Sequence, residues 1–495
     1  MKWDKLGWLL FFLLLCYFPL FLHLDSLSLR LWDEARRAVS AFEMATDGGW
    51  LIPKVEGHPD MYGTKPPLLV WLQAIFMKIV GYNELAVRLP SALAGLATAG
   101  LMVAFSWRHL QMKWAGFFGA LVLLTTDSYI NSHGAIAGDY DALLTLWETA
   151  YLLSFFLFLE KEERKYLYLT GLFVALAGLT KGVAGMFFLP GLLLFTFIQN
   201  KSAFLFKTRE LYLVTLAVAL VILGYYFLRE AYNPGYLRAV WENELGGRYF
   251  GGLEGHTHDF RYYFRVIFET GKYSPWCFFW PLAFLVAIYY PATRRFSLLI
   301  LINTLVFVAI LSQSETKIEW YLLPIIPGTA LVVGISLEHL FQGLQKQLPP
   351  LVPWSKPALL ITFLFALFFV PYQRIIKKVY VFEHSGWGKE QTVYRDFMEV
   401  VQDVKDYSIL HPHYNGQIVF YKEVYNHKGY NITEQVLHQP PEEVQKIEAG
   451  PPTYEAGELV MVCEREAKDA LEKRYRREVL RSWEDCRLVE ITGLR

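Results

Sequence analysis

The chain has little charge, little cysteine and no excess of either sign. Charged residues make up 19% of 495 positions, against roughly 25% in ordinary soluble domains, which argues against a wholly soluble enzyme. The 47 basic and 47 acidic residues cancel, so no global field draws the chain to nucleic acid. The four cysteines, Cys16, Cys277, Cys463 and Cys486, form no C-x-x-C, and neither a zinc ribbon nor a redox motif is supported. Cys463 and Cys486 are left as a candidate disulfide if the tail lies outside the cytoplasm. No internal repeat or low-complexity tract is present.

What is abundant is apolar. Hydrophobic residues reach 54% and aromatics 17%, yet the mean hydropathy is only +0.26, so polar surface must be concentrated in one part of the chain. Leu6 to Leu24 is almost wholly apolar and long enough to cross about 30 Å of hydrocarbon. It follows two lysines and lacks a small-x-small cleavage site, so it reads as an uncleaved anchor rather than a signal peptide. Ten further spans are expected near residues 88–107, 114–131, 140–159, 166–181, 183–199, 210–228, 272–290, 296–312, 320–340 and 357–372, about eleven in all. Leu68 to Val80 is shorter, follows Pro66-Pro67 and contains Gln73 and Lys78. It reads as an interfacial or re-entrant helix.

Loops rich in lysine and arginine stay in the cytoplasm. A cytoplasmic N-terminus places Arg108 to Lys113, Lys161 to Lys165, Lys201 to Arg209, Arg294 to Arg295 and Lys346 to Lys356 inside, and all five are basic. The tail then falls outside. Its composition turns soluble, with a charged helical stretch at Glu464 to Arg477 and short strands expected at Gln417 to Tyr421, Leu459 to Cys463 and Leu488 to Ile491. The fold class is therefore an all-α polytopic membrane protein over 1–372, with interfacial helices, followed by a small extracytoplasmic α/β domain over 373–495.

Polar residues gather on the outer side of this topology. The first outer loop carries Trp32-Asp33-Glu34-Ala35-Arg36 and, further on, Thr64-Lys65-Pro66-Pro67. The alternative reading there is helix capping plus an aromatic belt. Asn131 to Asp141 brings Asp139 and Asp141 to the mouth of a span, where a carboxylate needs water or a partner. A helix N-cap is the alternative reading for Asp139, but one cap satisfies one terminus and does not account for both. Lys181 interrupts an apolar run with no room for a loop, at about 2.5–3.5 kcal/mol for a mid-span lysine, and needs an anionic partner unless it snorkels to the interface. Lys317 and Tyr321 repeat the pattern. The long outer loop adds Arg248, His256, His258 and Tyr262. The two histidines lack helical spacing or a nearby cysteine for a metal, so hydrogen bonding to sugar or phosphate is the favoured reading. Such a set suits transfer of a polar group from a phosphate-linked lipid, with cations holding the departing phosphate and a carboxylate orienting or deprotonating the nucleophile.

Trp32-Asp33-Glu34-Ala35-Arg36, Lys65-Pro66-Pro67-Leu68, Asn83-Glu84 with Ala86-Val87-Arg88-Leu89-Pro90-Ser91, Gly138-Asp139 with Asp141, Leu179-Thr180-Lys181-Gly182, and Lys317 with Tyr321-Leu322-Leu323-Pro324 follow one another in order. In these motifs, from residue 1 to about 340, the sequence resembles the membrane-bound C-type glycosyltransferases of the 4-amino-4-deoxy-L-arabinose transferase and protein O-mannosyltransferase-like group. The resemblance implies transfer of a sugar from a polyprenyl-phosphate donor to a lipid, glycan or protein acceptor on the outer side of the plasma membrane, with lipid A modification among the cell-envelope roles. It implies Asp33 as the first-loop catalytic carboxylate, Lys65 on the lipid phosphate, and Asp139 or Asp141 as the second-loop acid. The sequence departs from the group at Thr64, where aminoarabinose transferases often carry a carboxylate.

The expected site is thus Asp33, Glu34, Asp139 and Asp141 for catalysis, Lys65, Lys181, Arg248 and Lys317 for the donor phosphate, and Arg36, His256, Tyr262 and Tyr321 for substrate. No cofactor is required by this reading, and a divalent metal is left open. The rival function is a lipid or lipid-linked sugar transporter, since many spans with buried ions also fit transport. Transporters place such ions near the midplane on related repeats, whereas here they gather at one interface.

Overall fold

The computed structural model describes residues 2–30, 32–131, 133–252, 255–347, 355–381, 386–438 and 448–495. Leu31 and Ser132, each inside a sequence motif, and most of the expected loop Lys346 to Lys356 lie outside the described residues. The chain forms two compact units. One comprises Met1–Leu22, Thr64–Leu69 and Arg88–Tyr380, the other His23–Gly63, Val70–Val87 and Val381–Arg495.

A helix stands at each of the eleven expected spans. Seven are long and apolar enough to cross a membrane by length and composition: Glu84–Leu110, Tyr140–Lys161, Arg164–Met186, Arg209–Tyr232, Pro291–Gln313, Ile325–Lys346 and Ser355–Val379. Of the other four, the first is the helix Lys2–Leu20, and Ala115–Leu124, Leu189–Ile198 and Trp276–Tyr289 are shorter. The reason is local. Ala115–Leu124 ends where the hydroxyls of Thr125 and Thr126 donate to the carbonyls of Leu121 and Val122. Leu189–Ile198 begins only after the turn at Gly182, and has proline in its first turn.

Small residues set the closest packing in the first unit. A Cβ on Gly334 would lie 2.1 Å from the carbonyl oxygen of Ala115, and one on Gly119 would lie 3.1 Å from that of Ala330. Ala115/Gly119 and Ala330/Gly334 are both four-residue spacings, the small-xxx-small pattern that lets two apolar helices touch backbone to backbone. Glu338, on the second of these helices, caps the first by accepting from the amides of Trp114 (2.9 Å) and Ala115 (2.7 Å). A carboxylate at a helix N-terminus satisfies donors that have no partner in the helix.

The second unit is built on a six-stranded sheet. Its strands are β3 (Asp406–His411), β4 (Asn431–Val436), β5 (Glu448–Ala449), β6 (Leu459–Val462), β7 (Tyr475–Trp483) and β8 (Cys486–Leu494), in the order β5-β4-β3-β6-β8-β7, while β1 (Lys54–Val55) and β2 (His58–Pro59) form a separate hairpin. β3 runs parallel to β4 and β6, and β8 runs antiparallel to β6 and β7. The strands expected at Leu459 to Cys463 and Leu488 to Ile491 are β6 and part of β8. Gln417 to Tyr421 is instead helical, inside Gly416–His427. Asn415 caps that helix, accepting from Gln417 N at 3.0 Å, and Ile418, Val419, Phe420 and Tyr421 are all buried. A run buried on every side carries no period, so alternation could not separate helix from strand.

The first loop contributes to this unit's core. Helix Asp33–Asp47 packs on Gly416–His427, and its Ala38, Ala41, Phe42 and Ala45 share a buried cluster with Ile418, Val419, Phe420 and Ile409. Leu29 N donates to Tyr421 Oη (3.0 Å), which donates to Glu84 (2.7 Å). The thirteen-residue helix Leu68–Val80 rises about 20 Å, short of a span. Its Gln73 donates to the carbonyl of Val87 at 2.9 Å and its Lys78 lies over the Trp50 ring. Cys463 and Cys486 are joined as a disulfide.

Candidate active site

In the first unit Lys65, Asp141, Lys181, Arg248 and Tyr321 of the expected residues come together. Lys181 closes helix Arg164–Lys181, and Gly182 follows at φ +58°, where a Cβ would meet Tyr226 Oη at 2.5 Å. Only glycine suits that conformation and that space. The turn leaves Lys181 8% exposed, with Nζ donating to Asp141 Oδ1 at 2.5 Å and 5.0 Å above the Tyr321 ring. Lys181 therefore does not snorkel; its charge is met by a carboxylate and an aromatic face.

The two aspartates have divided roles. Asp139 caps helix Tyr140–Lys161, accepting from Tyr140 N at 2.6 Å, and is hydrogen-bonded to His133, which stacks on Trp320 at 3.7 Å. Asp141 is the partner of Lys181. Capping thus accounts for one carboxylate and ion pairing for the other.

Tyr321 links this pair to the segment Trp241–Phe250, since Arg248 donates to its hydroxyl at 3.1 Å and to the carbonyl of Asn243 at 2.8 Å. Glu244, one residue on, accepts from Lys65 Nζ at 2.9 Å and from Thr64 Oγ1 at 3.2 Å. Burial works against ionisation of Glu244, yet Lys65, Arg248 and Lys181 together hold its carboxyl below the ordinary range. Lys65 also lies 5.8 Å from the Tyr140 ring, beside Asp141 in sequence. Lys65, Glu244, Arg248, Tyr321, Lys181 and Asp141 therefore form one connected polar cluster of three cations, two carboxylates and a tyrosine, in which Arg248 reaches Glu244 through the adjoining Asn243 carbonyl and through its charge.

Lys317, His256 and Tyr262 form a separate group. Lys317 is buried, and its ammonium donates to the carbonyls of His258 (2.8 Å) and Ser314. The amide of Lys317 donates to the carbonyl of His256 at 2.9 Å, and His258 stacks on Tyr262 at 4.1 Å. These contacts tie the stretch from His256 to Tyr262 to the segment before Tyr321. Among the described residues His256 and His258 meet no third metal ligand.

Asp33, Glu34 and Arg36 belong to the second unit. Asp33 opens its helix without a side-chain cap at Trp32, whose backbone sits at φ 70° and ψ −104°, a region that non-glycine residues rarely enter. Arg37 donates to Asp33 at 3.1 Å, while the Asp33 side chain stays 43% exposed. Glu34 is buried and accepts from Arg30 N at 2.7 Å. Arg36 grips Asp60 with Nε (3.1 Å) and a terminal nitrogen (2.7 Å), and its guanidinium lies 4.9 Å from the Tyr62 ring. Asp60 also accepts from the amides of Tyr62 and Gly63. Of the two first-loop acids, Asp33 presents an accessible carboxylate and Glu34 braces the helix start.

Three residues outside the expected set are structurally central. Glu244 supplies a carboxylate to Thr64 and Lys65, next to the position where the resembling group often has its own acid; the departure at Thr64 was the available signal. Arg229 is fully buried, 3.9 Å from the Tyr236 ring, and Tyr236 donates to the Thr64 carbonyl at 2.7 Å. Both sit in unremarkable apolar or aromatic context, and nothing in their spacing marked them.

Comparison with known proteins agrees with this architecture. The profile of the dolichyl-phosphate-mannose-protein mannosyltransferase family matches residues 64–226. The undecaprenyl phosphate-α-4-amino-4-deoxy-L-arabinose arabinosyl transferase of Shewanella sediminis is 27% identical over 67% of this chain and 61% of its own length. That of Aeromonas salmonicida is 34% identical over 37% of this chain and 32% of its own. The chain thus spans about three fifths of the Shewanella relative. Among solved structures, ArnT from Cupriavidus metallidurans bound to undecaprenyl phosphate superimposes with a TM-score of 0.74 at 18% identity, over 98% of both chains. The Archaeoglobus fulgidus oligosaccharyltransferase reaches 0.54 at 14%, over 88% of this chain and 65% of its own. The fold is that of the ArnT structure, and the family resemblance read from the motifs stands.

Proposed function

We propose that this chain, a relative in sequence and fold of the arabinosyl and mannosyl transferases of the C-type membrane group, moves a sugar from a polyprenyl-phosphate-linked donor to a lipid, glycan or protein acceptor. The observation that carries the reading is the connected polar cluster of Lys65, Glu244, Arg248, Tyr321, Lys181 and Asp141. A leaving polyprenyl phosphate gains negative charge as the bond between the anomeric carbon and its oxygen breaks, and cations already placed at that charge stabilise the transition state. Lys65, Lys181 and Arg248 supply them. Glu244 and Asp141 keep those cations compensated before the donor arrives.

Asp33 takes the other half of the chemistry. An acceptor hydroxyl attacks the anomeric carbon from the face opposite the phosphate, its proton passes to Asp33, and the configuration inverts. An acceptor phosphate, already anionic, needs only orientation. Glu34 and Asp139 hold their helix starts in place, while Arg36, His256, Tyr262 and Tyr321 are assigned to substrate binding. Lys317 supports the same segment through the outer loop. The N-terminus faces the cytoplasm and the polar unit faces outward, in the plasma membrane.

Purified protein in nanodiscs with undecaprenyl-phosphate-linked sugar and acceptor should release free polyprenyl phosphate. Asp33→Asn should slow that release at least about 100-fold, the low end for a general base, with normal membrane expression. An Asp33→Asn protein as active as the wild type would remove the assignment. Donor that crosses the bilayer without being consumed would replace the transferase with the transporter.

A further inference from the structure

The sheet of the second unit brings three parallel strands to a common end, in the spatial order β4, β3, β6. Chain order reverses there: the chain leaves β3 for β4 on one side and reaches β6 on the other. In open α/β sheets ligands collect outside the carboxyl ends of the strands at such a reversal. His413 follows β3 by two residues and His438 follows β4 by two. Because His411 and Val436 are paired in register, the two histidines occupy equivalent places. Backbone bonds hold both ends, from Leu437 N to His411 O (3.1 Å) and from His438 N to Pro412 O (3.0 Å).

Glu466 comes from the first turn of helix Arg465–Arg474, just after β6. Its carboxylate lies 2.7 Å from His438 Nε2, and the His413 and His438 rings are 4.7 Å apart. One donor atom from each of the three residues falls within 4.8 Å of the others. The disulfide Cys463–Cys486 anchors the chain three residues before Glu466.

We propose that His413, His438 and Glu466 form a site for a borderline divalent cation such as Zn²⁺, with water at the remaining position. Two imidazoles and one carboxylate are a zinc-type donor set and too poor in oxygen for Ca²⁺ or Mg²⁺. Metal–ligand bonds of about 2.0–2.2 Å need the donor atoms to close together, which rotation of exposed side chains provides. All three residues are exposed, and none of them enters the transferase chemistry above. His413 lies in the turn after β3, to which His438 is joined through the Pro412 carbonyl; Tyr414 and Gly416 follow, and a Cβ on Gly416 would lie 3.5 Å from that of Ala35. A bound cation would pin that turn where it supports the helix carrying Asp33 and Arg36.

The test is zinc content of the full-length, tag-free protein after chelation and equilibrium dialysis at micromolar Zn²⁺. Wild type should hold one more equivalent than His413→Ala/His438→Ala, and millimolar Mg²⁺ should not displace it. Glu466→Gln should weaken that equivalent at least about 10-fold, since even partners behind a ligand are worth 10–100-fold. Far-ultraviolet dichroism checks that each variant is folded, and the single Glu466→Gln change serves if the double variant is not. Equal zinc binding in wild type and either folded variant overturns the site.

Discussion

Lys181 in the membrane unit and Lys422 in the polar unit are buried to nearly the same depth, 8% and 9% exposed, with different company. Lys181 meets one carboxylate, Asp141, and the face of Tyr321. Lys422 meets two buried acids, Glu434 at 2.9 Å and Glu56 at 3.5 Å, and the more exposed Glu423 at 3.4 Å. The surplus acid has a consequence. Burial, and then the neighbouring Glu434, push the Glu56 carboxyl up to about 7, while Glu434, close to His411 and Lys422, is held at about 2 against its own burial. Near a water-exposed sheet an uncompensated carboxylate can take up a proton. Among apolar spans, one-to-one pairing avoids the cost of an unpaired ion. The first arrangement sits among candidate substrate-binding groups, the second between the hairpin, helix Gly416–His427 and β4, where it fastens the unit together.

The largest expected effect tests the one-to-one pairing. Lys181→Met should destabilise the protein by about 3–5 kcal/mol, because Asp141 is left buried without its cation. Adding Asp141→Leu should recover most of that loss while leaving the transferase inactive. Thermal unfolding in detergent reads both, and a stable Lys181→Met single variant would show that the pair does not hold the spans.

Next in size is the disulfide. Cys463→Ala/Cys486→Ala opens a loop closed over a separation of 23 residues and should cost about 3 kcal/mol. The loss belongs to the polar unit alone, so limited proteolysis should cut the tail first. Cleavage beginning between the spans would blur the distinction between the units.

The smallest effect concerns Glu56. Its folded-state value lies above the unfolded one, so between about pH 4.5 and 7 the folded chain binds the extra proton and stability falls as pH rises. Glu56→Gln should abolish that decline and stabilise the protein at pH 8 by about 1–3 kcal/mol, at 1.36 kcal/mol per pKa unit. Glu434 runs the other way, its contribution lost only as pH falls below about 4.5 toward 2. Melting temperatures across pH 4 to 8 check the sign, and an unchanged slope in Glu56→Gln would place the titration elsewhere.

The legible and illegible parts of the site divide along similar lines. Lys181 announced itself because a cation inside an apolar run has few explanations, and Asp139 with Asp141 because two acids exceed what one helix end needs. The cap was legible at Asp139, just before the helix; the pairing of Asp141 with Lys181 was not, because it joins residues 40 positions apart. Glu244 was passed over because it lies in a loop already crowded with acids. Gln417 to Tyr421 was misread because burial on all sides erases periodicity.

Composition, span length and the order of the motifs were enough, by themselves, to establish a polytopic membrane body, a polar tail and a resemblance to lipid-phosphate-dependent glycosyltransferases, because hydrocarbon allows few segments and few charges within it. Only the tertiary structure decided that residues 23–63 and 70–87 fold with the tail, that Glu244 faces Lys65 across nearly 180 residues, and that His413, His438 and Glu466 meet beyond the carboxyl ends of β3, β4 and β6. These are long-range contacts chosen by strand register, helix capping and shared burial. Such choices depend on which surfaces meet, which local pattern does not encode.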